Sequence, residues 1–181
     1  MEENPTTGSL LPRVPLSVIE FLLRPLPPFV GARAISTGLR LAGAKVGKSS
    51  IFWGMPTLAG TDTNLASRLE IGELCGLNFG CYFELDATVT LSDHVAIGHQ
   101  VMFLTRSRSL DDPRRRGHDS EPKPVRVEAG AWIGSRCTIL PGVTVGAGSV
   151  VGASVVVRED VPPNTLLAGT RKVSIAKWRG K

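Results

Sequence analysis

The chain has 181 residues, enough for one domain with a small appendage, and its 42% apolar and 20% charged content excludes a disordered chain. A net charge of +5 favours anionic partners. It does not choose among phosphorylated cofactors, acidic glycans, nucleic acid and a membrane surface. Aromatic residues are few, at 6%, beside 20 glycines and 13 prolines, which describes many tight turns around small core positions.

The opening MEENPTTGSLLPR is acidic and polar and is then broken by prolines, unlike a secretory signal. The apolar stretch from Pro15 to Leu23 contains Glu20 and ends at Arg24, well short of the ~20 residues a membrane span needs. Cys75, Cys81 and Cys137 form no CxxC pair, which fits a reducing compartment. The expected location is cytoplasmic, with no membrane span. Residues 1–43 are predicted to form a helical cap, its pieces broken at Pro25, Pro27 and Pro28. The cap is expected to cover an open end of the main body. A membrane-surface or partner helix is the alternative.

Residues 44–169 carry an internal repeat. From Val127 an aliphatic residue returns at every sixth position, at Ile133, Ile139, Val145, Val151 and Val157. A second set, small or β-branched, lies two residues earlier, from Val125 and Ala131 to Val155 and Val161. The same period runs through Leu85, Leu91, Ile97 and Phe103, and through Phe83, Val89, Val95 and Val101. Ile97 and Ile133 are thirty-six residues apart, so the register survives the segment between them. Val46, Phe52 and Leu58 form a shorter upstream run. Ile71 is out of phase by two, which places a register slip near Glu73 to Asn78.

Each hexad is read as one short flat strand with an inward aliphatic residue, followed by a turn relaxed by Gly, Asp or Ser. Three sides close a triangular coil, and only stacking of coils buries the apolar faces. The fold class is therefore all-β, a parallel β-helix. The period leaves its handedness open.

Residues 104–124, LTRSRSLDDPRRRGHDSEPKP, lack the repeat and are predicted to leave the coil as a loop. Its arginines, including Arg106 and Arg108, suit an anionic acceptor or cofactor phosphates, or form a solvated charged loop. Asp111 and Asp112 are weak bases unless buried. His94 and His99 fall at turn-like hexad positions, read as solvated. Zinc needs three or four ligands and the histidine spacing completes no set, so no metal is expected. The arginines lack interleaved aromatics, so no nucleic acid is expected either. Residues 170–181 form a basic tail.

Three stretches give a resemblance. They are Asn78-Phe79 with Asp86 and Val89-Thr90-Leu91; Gly130-Ala-Trp-Ile-Gly134 with Ile139-Leu-Pro-Gly-Val-Thr-Val145; and Asp160-Val-Pro-Pro-Asn-Thr165 with Ala168-Gly169. Over 69–168 the chain resembles the hexapeptide-repeat O-acetyltransferases of the galactoside, maltose and nodulation type, with xenobiotic acetyltransferases as cousins. The resemblance implies a left-handed β-helix, a homotrimer, and acetyl-CoA as co-substrate in a groove between subunits. It implies acyl transfer to a hydroxyl or amine of a small molecule or saccharide.

By position, the resemblance makes Asn78 and Asp86 acceptor-site residues, and the loop's charge adds Arg106 and Arg108 as candidates for an anionic acceptor. Trp132, Gly134, Ser135, Ala153, Arg171 and Lys172 become cofactor-site residues. The family's loop histidine, the general base, falls at Arg108. A guanidinium does not deprotonate in proteins, so Arg108 cannot be that base. His118, ten residues further along the loop, is the candidate relocated base beside Asp86. The alternative is a catalytically silent relative that binds a ligand or partner through the same intersubunit groove.

Overall fold

The structure, a computed structural model, describes residues 14–109, 114, 118–119, 121–169 and 171–174, with Arg108, Ser109, His118 and Asp119 described as backbone only. Asp111, Asp112, Arg115, Arg116 and the final KWRGK lie outside the described residues.

The hexads stack as a triangular prism with three parallel sheets. The first face holds Lys45–Val46, Leu69–Ile71, Val89–Leu91, Val125–Val127 and Thr144–Val145. The second holds Ile51–Phe52, Gly76–Leu77, Ala96–Ile97, Trp132–Ile133, Val150–Val151 and Thr165–Ala168, with Arg171–Ser174 added antiparallel at its end. The third holds Thr57–Ala59, Tyr82–Glu84, Met102–Phe103, Thr138–Ile139 and Val156–Val157.

Equivalent inward residues pair rung to rung. Leu77 pairs with Phe52 below and Ile97 above, and Ile97 pairs in turn with Ile133. Both hexad sets are buried, most to 2% exposure or less, and the Phe83 and Phe103 rings stack with centroids 4.8 Å apart. The thirty-six residues from Ile97 to Ile133 span a single rung, because the loop consumes the other half.

Two expectations from the sequence do not hold. Ile71, Leu77 and Phe83 keep the six-residue spacing and all point inward, so no slip occurs at 73–78. The two extra residues lie between Phe83 and Leu91, at the corner that carries Glu84 and Asp86. The glycine that follows an inward aliphatic residue also serves a different purpose from the one expected. A Cβ on Gly98 would sit 2.5 Å from the Ser135 backbone nitrogen, and one on Gly134 would sit 2.7 Å from that of Ala153. Close approach of successive coils, rather than turn conformation, excludes a side chain at both positions.

The cap comprises two helices, α1 (Leu16–Leu23) and α2 (Ala32–Leu41). α2 lies on the first coil: Ile35 and Leu39 are buried, Ser36 donates to the Ser50 carbonyl, and Arg40 donates to the carbonyls of Val46 and Gly47. These last two carbonyls would otherwise sit at the open end of the stack. The three cysteine thiols are buried small core groups, and burial pushes the Cys81 thiol up to about 11.

Phe103→Ala should lower unfolding stability by ~3–5 kcal/mol, the range for deleting a buried aromatic ring. Urea denaturation measures it. A loss below ~1 kcal/mol would contradict a rigid stacked core.

Candidate active site

Every excursion from the coils leaves at one vertex, where the third face gives way to the first. Residues 60–68 leave after the first third-face strand, 85–88 after the second, and 104–124 after the third. They are tied together there. The Asp86 carboxylate, 5% exposed, accepts from the Thr61 amide at 2.8 Å, the Thr61 hydroxyl at 2.7 Å and Arg106 Nε at 3.1 Å. Arg68 donates to the Leu85 and Asp86 carbonyls and pairs with Asp62 at 2.8 Å. Glu84 accepts from the backbone amides of Thr105 and Arg106 at 2.9 and 2.7 Å.

Removal from water acts to raise the Asp86 pKa. The Thr61 hydrogen bonds and the Arg106 charge outweigh it, and the carboxyl is held below its usual value. Arg106 is thus the described loop arginine that turns back onto Asp86, and the Arg108 side chain lies outside the described residues. The backbone of Arg108–Ser109 forms a short antiparallel ladder with His118–Asp119, Ser109 opposite His118, so the loop carries a hairpin that its sequence did not announce.

Asn78 lies elsewhere, at the corner between the second and third faces, where its amide donates to the Ile97 carbonyl at 3.1 Å. Asn78 and Asp86 thus stand at opposite ends of the strand Tyr82–Glu84 and do not converge within one chain. His94 is an exposed turn residue with φ 59°. His99 is not solvated as expected. It is half-buried against Phe79, ring centroids 4.7 Å apart, and against Ser135. Among the described residues no cluster of three or more His, Cys, Asp or Glu could hold a metal ion.

The second face carries an apolar trough of about 860 Å³ along its last coils, within the size range of small-molecule sites. Trp132, 55% exposed, stands at one end, and Gly134, Ser135 and Ala153 line one edge. Gly148 and Asn164 line the other edge, with Val150 and Leu166 on the floor. These four were not singled out from the sequence, although the hexad alternation marks Val150 as outward-facing. Small residues along both edges leave room for an extended chain. Arg171 pairs with Ala168, two residues from Leu166, and so lies on the trough side of the sheet. Lys172 points the other way, with its ammonium on Glu159 at 2.9 Å and on the Asp160 carbonyl.

A triangular parallel β-helix with a cofactor-sized trough along one face is the architecture of a hexapeptide transferase. The family model for the bacterial transferase hexapeptide (six repeats) matches residues 124–159. A hexapeptide-repeat-containing acetyltransferase from Vibrio cholerae, solved complexed with acetyl coenzyme A, is 30% identical with a TM-score of 0.69, over 87% of this chain and 82% of that one. A galactoside acetyltransferase solved in complex with coenzyme A is 25% identical with a TM-score of 0.65, over 87% and 76%. The galactoside O-acetyltransferase of Escherichia coli is 35% identical over 103 residues, 57% of this chain and 51% of that protein. The chain thus spans about half the length of the curated relative. It belongs to the hexapeptide-repeat acetyltransferase family, and its winding is the left-handed one of that fold.

Because folding lowers the Asp86 pKa, its stabilisation is present above the unfolded carboxylate value of ~3.9 and fades as pH falls through the folded value. Asp86→Asn should melt below the wild type at pH 7, and the gap should close as pH drops past ~3.9. A gap that stays constant down to about pH 3 would show that the Thr61 and Arg106 contacts do not stabilise the charged form.

Proposed function

We propose that the protein transfers an acetyl group from acetyl-CoA to a hydroxyl or amine of a small molecule or saccharide. The trough carries this reading. It is apolar and runs across successive coils from Trp132 to Leu166, as the extended pantetheine arm of coenzyme A requires. Trp132 packs at the thioester end, while Val150 and Leu166 support the arm between the small residues of the two edges. Arg171, beyond Leu166 on the same side, meets the cofactor's phosphates. Lys172, held by Glu159, contributes to the local positive charge at longer range.

The active unit in this reading is a homotrimer. The loop bearing Arg108 and His118 leaves the prism at the vertex opposite the second face. One chain's loop therefore serves a neighbouring chain's trough. The same separation keeps Asn78 and Asp86 apart in one chain, and a neighbour can bring them to one acceptor. Exposed Met102 and Val156, on the third face beside the trough, supply apolar surface for such contact. Arg106 and Arg108 favour an acceptor that carries its own negative charge. The reaction needs a base for the acceptor, and His118 is the loop candidate.

One observation favours a second reading. Arginine at the family's base position takes up no proton, which suits a silent relative that binds its ligand without turnover. Thiol release from acetyl-CoA, assayed against a panel of sugars, amines and anionic acceptors, separates the two. Acyl transfer predicts release with at least one acceptor. Trp132→Ala should weaken coenzyme A binding about tenfold or more by calorimetry, and solution mass should be three times the 19.3 kDa chain. Coenzyme A binding with no release from any acceptor supports the silent relative, and no binding at millimolar coenzyme A refutes the acyl-transfer reading.

A further inference from the structure

His99 stacks on Ser135, at the Trp132 end of the trough. Resting on the acyl-transfer reading, we propose that His99 is the general base of the reaction, replacing the loop histidine that Arg108 displaces.

The geometry is local and specific. Gly98-His99 and Gly134-Ser135 are equivalent turns of adjacent coils, and their close approach stacks His99 directly on Ser135. Ser135 also lines the trough beside Trp132. Its Oγ accepts the His99 backbone N–H at 3.1 Å and lies 3.3 Å from His99 Nδ1. Phe79 meets the imidazole edge-on at an interplanar angle of 68° and is itself packed by Phe29, which fixes the ring plane. Among the described residues nothing bonds Nε2.

These contacts accommodate a working tautomer. With the proton on Nδ1, Ser135 Oγ accepts both N–H groups of His99, and Nε2 keeps its lone pair. The Ser135 hydroxyl proton is then free to turn into the trough toward the thioester carbonyl. The acceptor's O–H proton passes to Nε2 as its oxygen bonds to the carbonyl carbon. Collapse breaks the carbon–sulfur bond, and the Nε2 proton goes to the departing sulfur, giving the ester and free coenzyme A thiol.

The charged group on the turns packed against His99 is Arg136, whose guanidinium is held by Gln100 Oε1 at 3.0 Å. Asn78, Phe79 and Ser135 contribute no charge. His94 is exposed on the opposite corner of the same coil, in the column that continues to Gly148 and Asn164, but it lacks the Ser135 and Phe79 contacts that hold His99. His118 is the rival that experiment must separate.

The test uses the full chain and the variants His99→Gln, His118→Gln and Ser135→Ala. His99→Gln should lower kcat for thiol release about 10²–10⁴-fold. Coenzyme A affinity by calorimetry and solution mass should be unchanged. The acid limb of the wild-type rate profile should vanish in that variant, and Ser135→Ala should change that limb as well as slowing turnover. A merely structural histidine would instead change melting temperature and coenzyme A affinity together with rate. Turnover of His99→Gln within about threefold of wild type overturns the proposal, as does loss of the acid limb in His118→Gln alone. NMR titration of the imidazoles supplies a readout that needs no acceptor: the His99 signals should move when coenzyme A saturates the trough. Binding without that movement overturns the role of His99, whereas absence of coenzyme A binding overturns the acyl-transfer reading itself.

Discussion

The parallel ladder between coils is the constraint on which the rest of the molecule depends. No face of a single coil can bury its apolar side chains alone. Each inward residue is covered by its equivalents one coil above and one below, as Leu77 is by Phe52 and Ile97. Hydrogen bonds hold those equivalents in register, and a shift of one residue would turn an inward side chain outward. Residues beyond the repeat therefore have to leave the stack at a corner. All three excursions leave at the same corner, and the polar groups they expose there are satisfied by one another: Thr61 and Arg106 on Asp86, Arg68 on the neighbouring carbonyls, and the 105–106 amides on Glu84. Among the described residues no buried side-chain polar atom is left without a partner.

Concentrating the irregular chain at one vertex leaves the opposite face smooth. Small residues at both edges of that face then leave a trough along the stack, bounded by the coils' own backbone. Polar chemistry and cofactor space are thus separated within each chain by the width of the prism. The proposed trimer follows from that separation, since a neighbouring prism brings loops and trough together. His99 is a different case: its own coil carries it against Ser135 on the trough edge, through the same close stacking that forbids side chains at Gly98 and Gly134.

Much of this could be read from the sequence because the hexad is a local rule. Ile133, Val145 and Val151 announce their inward direction by spacing alone, and the cap announces itself by Pro25, Pro27 and Pro28 between two short helical runs. Trp132, Gly134, Ser135 and Ala153 were grouped by the family resemblance, and they line one trough. Other assignments failed where a residue's neighbour is distant in sequence. The slip assigned to 73–78 lies instead between Phe83 and Leu91, since phase alone cannot say at which corner two residues are extruded. His99 was read as a solvated turn residue because its hexad position does not reveal that Ser135, thirty-six residues on, packs against it.

The sequence by itself determined that this is a stacked triangular helix, which side chains fill it, and where a long loop departs. These are consequences of a period repeated often enough to be unambiguous. Only the tertiary structure decided that Asn78 and Asp86 stand at different corners, that Arg106 neutralises Asp86, that Lys172 turns from the trough while Arg171 faces it, and that His99 is held by Ser135 and Phe79. Each of those depends on contacts between coils, between residues some twenty to thirty-six positions apart or across an antiparallel end strand, and no local pattern encodes which of two adjacent side chains such a contact will choose.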